Sequence, residues 1–332
     1  MNGLYISNVP ALYREDLRNA LKERLGLRIL HYADDPMFRS FLGKTCIRGL
    51  DRFLDETRPE LVITSEFSPV TLQFLHSRSR YGYRLVSLCD DSLNMIRGND
   101  FSLTHRLARP LVLRKEDDLI LHSPDVRDWY RQHYGKGLWM PIIADERRIR
   151  PALERVLPLS ESVRLSEKPV VAFVGRFVGL KNIPTLIQAF EPLRDRAQLV
   201  LIGDGPDREK LARMAPYAHF TGWLTGDDLL AWYNLIDILV LPSTREAYGA
   251  VTGEALMAGA KVIISDRAGS TSLVREGENG YIVNPLVSSD LTRRMAALLE
   301  TVSPGRPIQL RDNLLPYRFE DCISSLIDSL SK

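Results

Sequence analysis

The sequence predicts an α/β protein made of two doubly wound domains, each a parallel sheet with helices on both faces. Three observations predict it. Short β-rich runs alternate with amphipathic stretches along all 332 residues, which is the rhythm of βαβ units. Most of these runs are almost continuously apolar, as strands buried on both faces are. The chain is also longer than the size at which a single core keeps growing, so it divides in two.

The strands follow in order. The first half carries "GLYIS" (3–7), "LRILHYA" (27–33), "ELVITS" (60–65), "RLVSLC" (84–89), "LILHS" (119–123) and "LWMPI" (138–142). The second half begins again with "PVVAFVGR" (169–176), then "AQLVLIGD" (197–204), "HFTGW" (219–223), "DILVLPS" (237–243), "KVIISD" (261–266) and "GYIVN" (280–284). The polar, Pro-containing stretch 145–169 has no strong period and reads as a linker. The expected domains are 1–150 and 151–312. A closing helical segment, 313–332, is expected to cross back to the first domain, with Tyr317 and Phe319 as candidate anchors of the crossing.

Composition excludes several classes. Hydrophobic residues make up 45% and charged residues 26%, as in a soluble globular protein, and no apolar run reaches the ~20 residues a membrane helix needs. The first ten residues lack a charged leader and a long apolar run, so a cytoplasmic chain is expected. Cys46, Cys89 and Cys322 are odd in number and far apart, which argues against disulfides and a zinc site. The net charge of +2 is slightly positive in the first half and slightly negative in the second. That is too mild for a nucleic-acid partner, and no basic and aromatic interleaving suggests one.

In open α/β sheets, ligands bind beyond the carboxyl ends of the strands, so the chemistry is expected in those loops and in the cleft between the two domains. After the strand ending at Gly175, Arg176 and Lys181 fall in one strand-to-helix loop. The pair suits a phosphate or diphosphate; equally, both can be solvated surface charges. "PSTREAYGAVTGEALMAG" follows the strand "DILVL" and runs into a helix, where Gly249, Ala250 and Val251 can offer free N–H groups to an anion. Glu246 and Glu254 in this stretch can each accept hydrogen bonds from vicinal hydroxyls, of a sugar and a ribose respectively. Alternatively, Glu254 only complements the helix dipole and Glu246 is a solvated loop residue.

Together these loops resemble the retaining glycosyltransferases of the GT-B fold, in the large fourth family that uses nucleotide-sugar donors. The resemblance spans residues 168–300 through "GRFVGLKN", "LVLIGDGPDREKL", "FTGWL", the Glu-x7-Glu stretch "EAYGAVTGEALMAGAKVI" and "REGENGYIVNP". It implies two Rossmann-like domains facing a central cleft and transfer of a sugar from a UDP- or GDP-linked donor to a glycan or lipid-linked acceptor. The implied donor-binding residues are Gly175, Arg176, Lys181, Trp223, Glu246, Tyr248, Gly249, Ala250 and Glu254. Arg176, Lys181 and Glu246 are also the expected catalytic residues. No Asp-x-Asp triplet occurs, so fixed cations rather than a metal are expected to stabilise the leaving diphosphate, and no cofactor is expected.

The first half fits this family only loosely. The Gly-Gly often found in the first loop is replaced by "NVPALYR", and the His common after the fourth strand is replaced by Cys89, Asp90 and Asp91. Asp90 is the candidate catalytic group there; it or Asp91 can instead bind a hydroxyl or cap the next turn. His122 reads as a strand-end histidine and His105 as a loop histidine facing solvent or cleft. Two segments, 12–24 and 37–56, read as amphipathic basic helices with stripes Arg14, Arg18, Lys22 and Lys44, Arg48, Arg52. Either they pack on the sheet with a solvated basic face, or they bring the protein to the inner face of the cell membrane. The alternative function is a non-catalytic nucleotide-sugar-binding subunit of a glycosyltransferase complex.

Overall fold

The structure, a computed structural model, describes residues 2–8, 11–32, 37–41, 44–98 and 101–332, apart from the side chains of Leu12, Arg39 to Phe41, Lys44 and Thr104. Val9 and Pro10 of the first loop, and Leu42 of the second basic segment, lie outside the described residues. The chain forms two compact units, Met1–Ile142 with Glu320–Lys332, and Ile143–Phe319.

The first unit holds β1 (Gly3–Ser7), β2 (Leu27–His31), the hairpin β3 (Phe38–Phe41) and β4 (Lys44–Ile47), then β5 (Leu61–Ser65), β6 (Arg84–Cys89), β7 (Asp118–Leu121) and β8 (Leu138–Trp139). Six of them make one parallel sheet in the order β2-β1-β5-β6-β7-β8. Every residue of β1 and β5 is buried, as the apolar runs require. The helices are α1 (Glu15–Leu25), α2 (Leu50–Thr57), α3 (Pro69–Tyr81), α4 (Leu93–Gly98), α5 (Leu103–Lys115) and α6 (Pro124–Tyr134).

The segment 37–56 is a hairpin followed by α2, and not the continuous amphipathic helix its apolar spacing suggested. Phe38 and Ile47 are cross-strand partners, and both are buried against Leu50 and Leu54. The same apolar residues thus share one face by a different route. Gln73 of α3 fixes the hairpin by accepting from the Ile47 N–H at 2.7 Å and donating to its carbonyl at 2.9 Å. Gly49, at φ 73°, then admits a left-handed turn into α2. The stripe on α1 also differs from expectation. Leu17, Leu21 and Leu25 are buried as predicted, but so are Arg14 and Arg18, and only Lys22 is exposed. Arg14 is paired with Asp90, and Arg18 donates to the Ala11 carbonyl. Neither cation is available to a membrane.

The second unit contains α7 (Glu146–Arg155), α8 (Leu157–Ser162), β9 (Val170–Val174), α9 (Ile183–Phe190), β10 (Gln198–Ile202), α10 (Arg208–Met214), β11 (His219–Gly222), α11 (Gly226–Leu235), β12 (Ile236–Leu241), α12 (Val251–Met257), β13 (Lys261–Ser265), β14 (Gly280–Val283) and α13 (Ser288–Leu299). Its sheet is parallel throughout, in the order β11-β10-β9-β12-β13-β14. The stretch expected to be a linker is mostly the helices α7 and α8. Asp145 caps α7, and Asn234 of α11 donates to the Leu153 carbonyl and to Ser160 Oγ. Few apolar residues are needed because polar anchors hold the two helices, which is why periodicity missed them. The last helix, α14 (Phe319–Leu330), buries Ile323, Leu326 and Leu330. Arg24 of α1 donates to Glu320, and Arg84 donates to the carbonyls of Ser329 and Leu330 at 3.0 and 2.9 Å.

Strand order reverses direction between β9 and β12 in the second unit and between β1 and β5 in the first. At such switch points neighbouring connections leave toward opposite faces and open a crevice at the strands' carboxyl ends.

Candidate functional site

In the second unit the crevice lies between the loops leaving β9 and β12. Leu180 accepts from the Thr244 N–H at 2.9 Å, which ties the two loops together. Asn182, at φ 52°, donates from Nδ2 to the carbonyls of Pro242 (3.2 Å) and Pro285 (2.8 Å), so the start of α9 is pinned to the loops that leave β12 and β14. Within this frame Lys181 Nζ pairs with Glu246 Oε2, which Ser243 Oγ also approaches at 3.2 Å. Lys181 and Glu246 remain partly exposed, so a ligand can reach both partners.

Two glycines allow the loops this close approach. A Cβ on Gly203 would lie 2.0 Å from the Gly175 carbonyl oxygen, and φ at Gly203 is +137°. Gly249 has φ +90°, and its Cβ would meet Leu241 Cδ2 at 2.6 Å. Only glycine allows the chain to turn there from the β12 loop into α12. The N–H groups of 252–254 are committed to the carbonyls of Gly249 and Ala250.

The remaining predicted residues are placed less closely together. Glu254 leaves the crevice loops and takes a 2.5 Å hydrogen bond from the Tyr233 hydroxyl. Burial raises its carboxyl above the ordinary range, while that hydrogen bond acts in the opposite direction. Tyr248 is buried, and its carbonyl accepts from the Ser270 N–H at 3.0 Å. Gly175 follows β9 and donates its N–H to the Ile202 carbonyl at 2.9 Å. Arg176 is exposed and makes no side-chain ion pair among the described residues. Trp223 is 66% exposed. The structure therefore brings Lys181, Glu246 and Gly249 together, with Glu254 behind them and Arg176 and Trp223 at the surface.

In the first unit, the exits of β1, β5, β6 and β7 converge on a charged cluster. Asp90 pairs with Arg14, lies 2.9 Å from His122 Nε2, and donates its N–H to Glu66 Oε1 at 3.2 Å. Burial alone would raise the Asp90 carboxyl, but His122 and Arg14 outweigh it and hold it at about 2. Asp90 is thus an anchored carboxylate of low basicity, one of the several roles the sequence left open for it. His122 is buried at the end of β7, with Nδ1 2.8 Å from the Met140 carbonyl. His105 sits on α5, not in a loop; it stacks on Phe101 at 4.6 Å and meets Phe67 edge-on.

Glu66 was missed by sequence reasoning. It follows β5 directly, in the left-handed region at φ 60°, with its N–H held by the Leu88 carbonyl at 2.8 Å and its carbonyl by Thr71 Oγ1 at 2.8 Å. Burial first, then the neighbouring charges of Asp90 and Asp91, push its carboxyl up to about 8. A non-glycine residue held in this conformation is costly and concentrates at functional sites. The signal available in the sequence was its position: the first residue after a buried parallel strand beside the switch point. Glu66, Cys89 and Asp91 also bring three metal-type donor atoms within 4.8 Å. Their chemistry fits a cation poorly, because Arg109 already stands 3.5 Å from Asp91, Tyr130 donates to Asp91, and burial raises the Cys89 thiol.

Comparison with known proteins agrees with the geometry. Residues 168–301 match the family described as glycosyl transferases group 1. Among curated proteins, the chain is 38% identical over 117 residues to a GDP-mannose-dependent alpha-mannosyltransferase of Mycolicibacterium smegmatis, covering 35% of this chain and 31% of that protein. It is 35% identical over 147 residues to the sulfoquinovosyl transferase of Arabidopsis thaliana, covering 41% and 28%. The matched region thus spans about a third of these relatives' own length. Among solved structures, a sucrose-phosphate synthase from Thermosynechococcus elongatus superposes with TM-score 0.77 at 18% identity over 100% of this chain and 98% of that one. Anabaena HepE in complex with UDP does so with TM-score 0.77 at 16% identity over 100% of both. Residues 168–301 thus resemble the glycosyl transferases group 1 family, and the two parallel six-stranded sheets have the GT-B fold of the solved structures on which the chain superposes.

Proposed function

We propose that the chain transfers a sugar, with retention and without a metal ion, from a nucleotide diphosphate donor to an acceptor hydroxyl in the assembly of a polysaccharide or lipid-linked glycan. The observation that carries this reading is the Lys181–Glu246 pair at the β9/β12 switch point. It sets a cation and a carboxylate side by side, as a diphosphate next to a neutral sugar requires. The curated relatives named above include a GDP-mannose-dependent enzyme, and HepE was crystallised with UDP, so both nucleotides are candidates.

In this reading Lys181 turns toward the diphosphate, Arg176 closes on it from the surface, and the free N–H groups around Gly249 and Ala250 add to the positive field. Glu246 accepts from hydroxyls of the transferred sugar, Glu254 from the ribose, and Trp223 and Tyr248 border the nucleoside. The bond between the sugar's anomeric carbon and the diphosphate breaks as the acceptor oxygen bonds that carbon on the same face. The acceptor's proton passes to the leaving phosphate, and Lys181 and Arg176 stabilise the charge that develops there. Asp90, too weak a base to take that proton, orients an acceptor hydroxyl. The site works in the cytoplasm, where nucleotide sugars are made.

The test is transfer by the purified chain in the presence of EDTA, with product anomers assigned by proton NMR. Product of the donor's own anomeric configuration supports the reading. Inverted product, or transfer that EDTA abolishes, overturns the mechanism.

A further inference from the structure

Behind the crevice of the second unit, the Tyr233 hydroxyl and Glu254 are joined by one hydrogen bond, and they stand on different helices, α11 and α12. The spacing of those helices therefore sets the place of the Glu254 carboxylate. What fixes the spacing lies outside both, in the irregular segment 306–314 that follows α13.

Arg306 already caps α11. Its Nη2 donates to the carbonyls of Asn234 and Leu235 at 3.0 and 3.1 Å, and its Nε lies 2.5 Å from Asp237 Oδ1. This answers both the end of the helix dipole and the buried carboxylate. A second guanidinium, that of Arg311, nonetheless comes within 3.7 Å of the same carboxylate, with its side chain only 16% exposed. Burial first and Arg306 second lower it to about 9, against the pull of Asp237. So costly a charge is informative through the contacts that Arg306 does not make.

Those contacts join α11 to α12. Arg311 Nη2 donates to the Tyr233 carbonyl at 3.0 Å. Its other side packs on Gly259, just past the end of α12, where φ is +78° and a Cβ would lie 2.4 Å from Arg311 Cβ and 2.8 Å from the Asp312 carbonyl oxygen. The segment is itself held: the Leu314 N–H donates to the Leu256 carbonyl, and Arg150 Nη1 of α7 to the Arg311 carbonyl, both at 2.9 Å.

We infer that Arg311 is a positioning residue for the proposed nucleotide site: by holding the end of α11 against the end of α12 it keeps the Tyr233 hydroxyl on Glu254. The inference rests on the role proposed for Glu254 toward the ribose. Among the described residues Tyr233 is the only titratable group that acts on the Glu254 carboxyl, and its hydrogen bond lowers what burial raises. Loosening that bond lets Glu254 protonate at higher pH.

The test is calorimetric titration with uridine, guanosine, adenosine and thymidine diphosphates, at neutral and mildly acidic pH, of the wild type, Arg311→Met, Arg311→Lys, Tyr233→Phe and the Arg311→Met/Tyr233→Phe double variant. Arg311→Met should weaken the nucleotide that the wild type binds by roughly three- to tenfold, the scale of one hydrogen bond. The fall in affinity with acid should also begin at higher pH than in the wild type. Arg311→Lys, which keeps one donor, should recover part of the loss. In the Tyr233→Phe background Arg311→Met should change neither quantity, because the hydroxyl it positions is gone. Unchanged affinity in Arg311→Met, an unshifted pH profile, or fully additive losses in the double variant would overturn the inference and leave the donor site standing. If Arg311→Met does not fold, Arg311→Lys takes its place in the cycle, with a smaller loss in the same direction expected. A wild type that binds none of the diphosphates overturns the donor-site reading and this inference with it.

Discussion

Lys181 and Glu246, 65 residues apart in sequence, form an ion pair across the point where the second sheet reverses its winding. Each is delivered by a different strand's exit loop, so the pair exists only because β9 and β12 are neighbours. In the proposed reading the two residues act oppositely on an incoming diphosphate, and this makes them separable by mutation.

Lys181→Ala leaves the Glu246 carboxylate facing the phosphates. Nucleotide diphosphate affinity should fall by roughly tenfold or more, and turnover with it. Glu246→Gln should keep or tighten nucleotide affinity while turnover falls, because the sugar loses its charged acceptor. The double variant should recover part of the affinity lost in Lys181→Ala. Calorimetry on the three variants reads this coupling directly, and strictly additive losses would show that the pair does not share the ligand.

Tyr233→Phe removes the hydroxyl that donates to Glu254 at 2.5 Å. A buried hydrogen bond to a charged group contributes ~1.5–3 kcal/mol, so the melting temperature should drop. The Tyr233 hydrogen bond also lowers a carboxyl that burial raises. Without it Glu254 protonates at a higher pH, and nucleotide affinity should begin to fall at higher pH than in the wild type. Affinity that falls at the same pH in both would separate Glu254 from the nucleotide.

Glu66 gives a pH-dependent stability with a definite sign. Its carboxyl is raised from 4.5 to about 8 in the folded chain, so between these values the folded state binds more protons than the unfolded state. Its contribution is fully present below about pH 4.5 and is lost as pH rises through about 8. Asp90 acts oppositely: lowered to about 2, it contributes above 3.8 and is lost only as pH falls through about 2. Glu66→Gln should therefore melt higher than wild type at pH 8 and lose most of that advantage at pH 5, as thermal scans at both values will read. Parallel curves for the two proteins would place the Glu66 carboxyl outside the charged cluster.

Gly203→Ala should prevent closure of the β9 and β10 loops. With its Cβ 2.0 Å from a backbone oxygen and φ at +137°, the loops must move apart, at a cost of ~1–3 kcal/mol for the backbone conformation alone. Circular dichroism melts should show the loss, and nucleotide affinity should fall with it because Gly175 and Lys181 share that loop.

Much of this arrangement was legible in the sequence. All twelve strands of the two sheets fall on the runs read as strands, with β7 and β12 each starting one residue earlier, because a parallel strand covered on both faces is apolar over most of its length. The carboxyl-end rule pointed to Lys181 and Glu246 for the same topological reason. What stayed hidden depended on single polar contacts. Gln73 turns an apparent helix into the β3–β4 hairpin, Asn234 anchors helices in an apparent linker, and Asp90 draws Arg14 out of an apparent surface stripe. Glu66 was hidden because neither its half-buried carboxyl nor its left-handed backbone leaves a periodic trace.

The central claim is that the β9/β12 crevice binds a nucleotide diphosphate through Lys181 without a metal. Thermal stabilisation of the purified chain by uridine, guanosine, adenosine and thymidine diphosphates and their sugars, in EDTA, tests it most directly. The account predicts a concentration-dependent rise in melting temperature with one nucleotide family, greatly reduced in Lys181→Ala. No rise with any of the four in a folded protein, or a rise that Lys181→Ala leaves intact, would contradict it.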